Sequence, residues 1–75
     1  MAHLVAVGPV QVHNVSMGKT VECPLVSFNK HHSMVITWAD GSNVTMYYVA
    51  DKRLYRATVA HIKIEAGNPR FEARA

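Results

Sequence analysis

An all-β fold is what this sequence predicts, on three observations. The stretch from Ser33 to Val49, SMVITWADGSNVTMYYV, holds two runs of β-branched and aromatic residues split by Ala39-Asp40-Gly41. That is the usual composition of a hairpin. Valine is abundant and strong helix formers are sparse, which tilts the chain towards strands. Finally, no long window carries a helical period. The nearest case, residues 57–65, has Ile62 and Ile64 at the spacing of a strand.

The central hairpin also fixes its own register. Side chains alternate faces along a strand, so a slip of one residue exchanges the faces. With Ala39-Asp40-Gly41 as the loop, Met34 falls opposite Met46 and Ile36 opposite Val44, and Trp38 and Tyr48 extend the same apolar face. Val35, Thr37, Asn43, Thr45 and Tyr47 take the other. A two-residue loop would mix polar and apolar residues on both faces. The pattern therefore selects the three-residue loop, with Gly41 supplying the positive φ of a bulged type I turn.

The other elements follow in chain order. His3 to Val7 alternates and reads as a first strand. Gly8-Pro9 interrupts it, since a proline cannot donate to a central ladder. Val10-Gln11-Val12-His13 resumes the alternation, and Ser16 to Lys19 is a turn. Thr20 to Phe28 reads as one strand, with Pro24 marking an edge or a bulge. Such a bulge explains why Val26 and Phe28 fall on the parity opposite to Val21, Cys23 and Leu25. Asn29 to His32 is a polar connection.

Ala50 to Arg53 reads as a four-residue turn. It sets Tyr48 opposite Tyr55, Met46 opposite Ala57 and Val44 opposite Val59, with Arg56 beside Tyr47 on the outer face. Strict alternation would then bury His61 and Lys63, so a bulge or sharp bend is expected near Ala60. Asn68-Pro69 is a turn. Arg70-Phe71-Glu72 is a candidate for a last short strand in a tail, residues 67–75, that is otherwise expected to fray.

Seventy-five residues, 49% of them hydrophobic, suit one small globular domain, residues 1–75. Five to six short strands in so short a chain roll into a small SH3-like barrel or a strongly twisted antiparallel sheet. A swapped or sheet-joined dimer is the rival arrangement. The single cysteine, Cys23, forbids an intrachain disulfide and suits a reducing, cytoplasmic setting. The start, MAHLVAVGPV, has no basic leader and no long apolar run, which predicts neither a secretory signal nor a membrane span.

The candidate chemistry is modest. Net charge is +3, a mild bias towards polyanions. Tyr47 and Arg56 with Lys52 and Arg53 form the best group, able to stack a base and hold phosphates. Against it stands the bland reading of a solvated turn beside a packed tyrosine. Trp38 ends its strand beside the loop, where a tryptophan can anchor a partner. The five histidines have no metal-ligand spacing and are expected on the surface. No nucleophile elbow, phosphate loop or paired-carboxylate site is present, so no enzyme and no cofactor are expected.

Two phrases, Trp38-Ala39-Asp40-Gly41 and Leu54-Tyr55-Arg56-Ala57-Thr58-Val59, resemble the W-x-D-G and Y-R-A-x-V strands of Tudor-type and other SH3-like barrels. The resemblance covers about a fifth of the chain, in line with hairpin signals. It implies the barrel and not the ligand. A methyl-lysine cage needs several aromatics around one rim, and only Phe71 follows the second phrase.

Two functions from different classes are left. One is a non-enzymatic module that meets nucleic acid through Trp38, Tyr47, Lys52, Arg53 and Arg56. The other is a protein-binding inhibitor or adaptor, of the kind that phages and mobile elements encode, acting through an exposed strand edge or Trp38. A homo-oligomer joined through edge strands is compatible with either.

Overall fold

Alternating apolar and polar residues form the strands, and Gly, Pro and polar clusters break them. The computed structural model describes residues 3–74. Along them run β1 (His3–Val7), β2 (Val10–Asn14), β3 (Lys19–Cys23), β4 (Leu25–Asn29), β5 (Ser33–Thr37), β6 (Asn43–Val49), β7 (Leu54–Val59), β8 (Ile62–Ala66) and β9 (Arg70–Arg74). The fold is all-β, with no helix among the described residues.

Seven strands form one antiparallel sheet in the order β3-β2-β8-β7-β6-β5-β4, and β1 pairs with β9 in a separate ribbon. The edges β3 and β4 are joined by Pro24 alone. Two peptide units span at most about 7.6 Å, whereas the edges of a flat seven-stranded sheet lie about 28 Å apart. The sheet must therefore curl until two of its corners meet, and it forms a half barrel. Thr37 N donates to Pro24 O at 3.0 Å, which holds the corner against β5.

The inside of the curl is the core. Val10, Val12, Cys23, Met34, Ile36, Met46, Tyr55, Ile64 and Ala66 are buried there. Trp38, Val44, Tyr48, Ala57 and Val59 pack against them from the rim. Each large apolar side chain buried in this way contributes about 1.5–3 kcal/mol. Tyr55 also buries its hydroxyl, which accepts the His31 N–H at 2.9 Å.

The central hairpin has the expected register, with Met34 opposite Met46 and Ile36 opposite Val44. Gly41 takes φ +87°, its N–H donates to Trp38 O at 2.9 Å, and Trp38 N donates to Ser42 O at 2.8 Å. The Ala50–Arg53 turn also closes as expected, pairing Tyr48 with Tyr55 and Tyr47 with Arg56. That ladder ends at Tyr47–Arg56, so the expected Met46–Ala57 and Val44–Val59 pairs are not part of it.

The strand count needs correction. Nine strands replace five to six: the tail adds β9, and two segments read as single strands are each divided. The first is Thr20 to Phe28: Pro24 separates β3 from β4, on opposite edges of the sheet. The bulge lies one turn of the pleat later, at Val26, between Leu25 and Ser27. It leaves Val26 half exposed while Leu25 and Phe28 both pack on the core. The second is 54–66, where the chain does not bend near Ala60 but reverses. Ala60 and His61 form a two-residue turn at φ +48° and +68°, pairing Val59 with Ile62. That is type I′ geometry, which matches strand twist but favours Asn-Gly. The reversal brings Ile62 and Ile64 to the core side and leaves His61 and Lys63 exposed.

The ribbon continues the β2–β8 pair. Val12 pairs with Ala66 in the sheet, and Val7 pairs with Arg70 in the ribbon. Between these pairs the pairing is interrupted, since Gly8-Pro9 and residues 67–69 belong to no strand, and the ribbon stands as a sheet of its own. The tail expected to fray is thus a strand through Arg74. Phe71 of the ribbon packs edge-on against Phe28 of β4, with ring centroids 5.7 Å apart.

Candidate functional site

The outer face of the sheet follows from strand parity. Register pairs run across it from Thr20 to His13, Glu65, Arg56, Tyr47, Ser33 and Asn29, one residue from each strand. Residues on one such row are cross-strand neighbours about 5 Å apart. Tyr47 is 61% exposed at its centre. Arg56 stands beside it, as expected, and its side chain is half-buried.

Glu65 is the residue that the sequence reading missed. Arg56 donates to Glu65 Oε2 from Nε at 3.0 Å and from Nη2 at 2.8 Å. The pair is only 27% and 22% exposed, so it is better sheltered than a surface ion pair and contributes about 1 kcal/mol. Much of the Arg56 charge is therefore met within the sheet. Only the two-residue reversal at Ala60-His61 brings Glu65 opposite Arg56, and no local pattern announced that reversal.

The structure also gathers residues that the sequence kept apart. The Lys30-His31-His32 connection lies beside the Ala50–Arg53 turn. Tyr48 joins them: its N–H donates to His32 O at 3.0 Å, and its ring lies 5.0 Å from that of His31. Tyr48 packs in turn on Tyr55, and Tyr55 on Phe28. Lys30, His31, His32, Lys52 and Arg53 are all exposed at this end, with Asp51 the acidic residue among them. Lys52 and Arg53 thus stand with a second lysine, Lys30, and two histidines near Tyr47.

Trp38 does not join this group. It sits at the opposite end of β6, roughly 20 Å of extended chain away, half-buried against the core. His3, His13, His31, His32 and His61 are exposed, in keeping with surface histidines. Among the described residues no three His, Cys, Asp or Glu side chains come together in a way that could hold a metal ion. The described residues contain no helix long and apolar enough to cross a membrane. An open cleft of about 490 Å³ lies where the ribbon leaves the sheet, lined by Pro9, Val10 and Pro69 as well as by Gln11, Glu22 and Arg70. Burial raises the Cys23 thiol above its ordinary pKa, which opposes the thiolate a reactive cysteine requires.

The fold and this face describe a small all-β protein: a curled antiparallel half barrel with a polar outer surface and one cationic end. Comparison with protein-family models, with curated proteins and with solved structures gives no match.

Proposed function

We propose that the protein is a non-enzymatic binding module that contacts nucleic acid through Tyr47 and the paired turns at the cationic end. The observation that carries this reading is the coupling of the Lys30-His31-His32 and Ala50–Arg53 turns through Tyr48. It supports a rigid patch in which Lys30, Lys52 and Arg53 meet phosphates and Tyr47 stacks on a base. Arg56 positions Tyr47's surroundings more than it supplies free charge, since Glu65 holds its guanidinium.

Salt dependence tests the reading. Contacts to three phosphates give a slope of log K against log salt near −2 to −3. Lys52→Ala with Arg53→Ala should lower that slope by about 2 and leave the circular dichroism unchanged. Glu65→Gln frees Arg56 and should strengthen retention on heparin or single-stranded DNA. Retention that is absent in the wild type, or unaltered by the double substitution, overturns the proposal.

The second reading, a protein-binding inhibitor or adaptor, is favoured by a different observation. Every residue of β9 is exposed. Binding through that edge would persist in high salt, where phosphate contacts fail.

A further inference from the structure

The ribbon presents an edge that the rest of the molecule does not cover. β9 has β1 on one side and no strand on the other among the described residues. All five of its residues are exposed. β1 is less open: Val5, Ala6 and Val7 are half-buried, and the chain beyond it runs tightly against β4. A Cβ on Gly8 would come within 2.9 Å of Leu25 N. A two-stranded ribbon is marginal by itself and gains stability from further strands.

The edge has a charge pattern. Arg70-Phe71-Glu72-Ala73-Arg74 alternates charged and small or apolar residues, and the charges run plus, minus, plus. Glu72 meets Arg70 at 3.7 Å and Arg74 at 3.3 Å within its own strand. Three antiparallel registers of two such strands set Glu72 opposite a charged residue of the other strand. Full overlap sets Glu72 against Glu72 and Arg70 against Arg74, which is repulsive. Sliding the strands towards the sheets sets Glu72 against Arg70 but places Pro69, which cannot donate, opposite Ala73. Sliding them apart sets Glu72 of each copy opposite Arg74 of the other, with Ala73 on the two-fold axis.

We propose that β9 pairs antiparallel with β9 of a second copy of this chain in that last register. The two ribbons then make a four-stranded sheet with an isologous, self-complementary interface. This does not rest on the nucleic-acid reading, since the Tyr47 face lies on a different strand set. The contact is far smaller than the ~1,600 Å² of a standard interface, so association is weak and the measurement runs up to high protein concentration.

The experiment is light scattering after size exclusion, or sedimentation equilibrium, over a wide concentration range. The wild-type mass should rise from 8.3 kDa towards twice that value. Glu72→Arg alone should stay monomeric, as should Arg70→Glu with Arg74→Glu. An equimolar mixture of the two variants should dimerise, because one strand then carries only positive and the other only negative charges. Circular dichroism checks that each variant keeps its fold. A wild type that stays at 8.3 kDa throughout overturns the proposal and leaves the edge to a different protein. A Glu72→Arg protein that dimerises like the wild type, or a mixture that fails to pair, overturns it as well.

Discussion

The β2–β8 and β1–β9 pairs follow one another along the chain as a sheet half and a ribbon half, separated at residues 8–9 and 67–69, and they differ in burial. In the sheet half Val10, Val12, Ile64 and Ala66 are buried. In the ribbon half Leu4 is 71% and Phe71 39% exposed. Both are antiparallel strand pairs. Strand pairing therefore does not bury side chains. Burial comes from the curl of the seven-stranded sheet, and the ribbon lies beyond it.

The largest effect expected from this contrast is on stability. Ile64→Ala, in the sheet half, should cost about 2–5 kcal/mol. Leu4→Ala, on the ribbon, should cost less than about 0.5 kcal/mol. Urea unfolding of the two variants measures both values. Similar losses at the two sites would break the contrast.

A smaller effect is expected at Ala60-His61, which closes β7 onto β8. Neither residue favours positive φ, and the left-handed conformation costs about 1–2 kcal/mol for a non-glycine residue. The burial of Ile62 and Ile64 offsets that cost. Ala60→Asn with His61→Gly should therefore stabilise the protein by about 1–2 kcal/mol. In a domain of this size each kcal/mol raises Tm by about 4–8 °C, which a thermal scan resolves. An unchanged or lower Tm would show that the turn is held for another reason.

The smallest effect is expected at the exposed Asp40 turn. Its carboxylate accepts the Ser42 hydroxyl at 2.6 Å and the Ser42 N–H at 3.0 Å. The hydroxyl bond first, then the backbone bond, lowers the Asp40 pKa below the ordinary aspartate range. A depressed folded-state pKa means stability that is present above the unfolded value and lost as the pH falls through the folded one. Asp40→Asn should remove that small contribution, leaving the variant slightly less stable than the wild type near neutrality and converging with it as the pH falls. Stability measured against pH for both proteins checks this, and identical acid limbs would refute it.

Some of the structure was legible because local chemistry and global position agree. Pairing Met34 with Met46 and Ile36 with Val44 follows from parity once Gly41 marks the loop. The Tyr47–Arg56 pair follows from the next turn in the same way. The Ala60-His61 reversal was not legible, since neither residue carries turn chemistry and the apolar spacing fits one bent strand as well as two. Missing it hid Glu65, and with Glu65 the neutralisation of Arg56. Lys30 and the adjacent histidines carry no sequence signal that sets them beside Lys52 and Arg53, since Tyr48 couples two turns that are distant in sequence.

The sequence by itself determined the all-β class, the central meander with its register, and the polar outer face carrying Tyr47 and Arg56. These rest on alternation with a period of two, which is a local property. The tertiary structure alone decided which strands are neighbours: β2 against β8, β3 and β4 on opposite edges, and β1 with β9 outside the curl. Alternation states which face a side chain takes but not which strand lies beside it. That choice is made by how the whole sheet closes around its core.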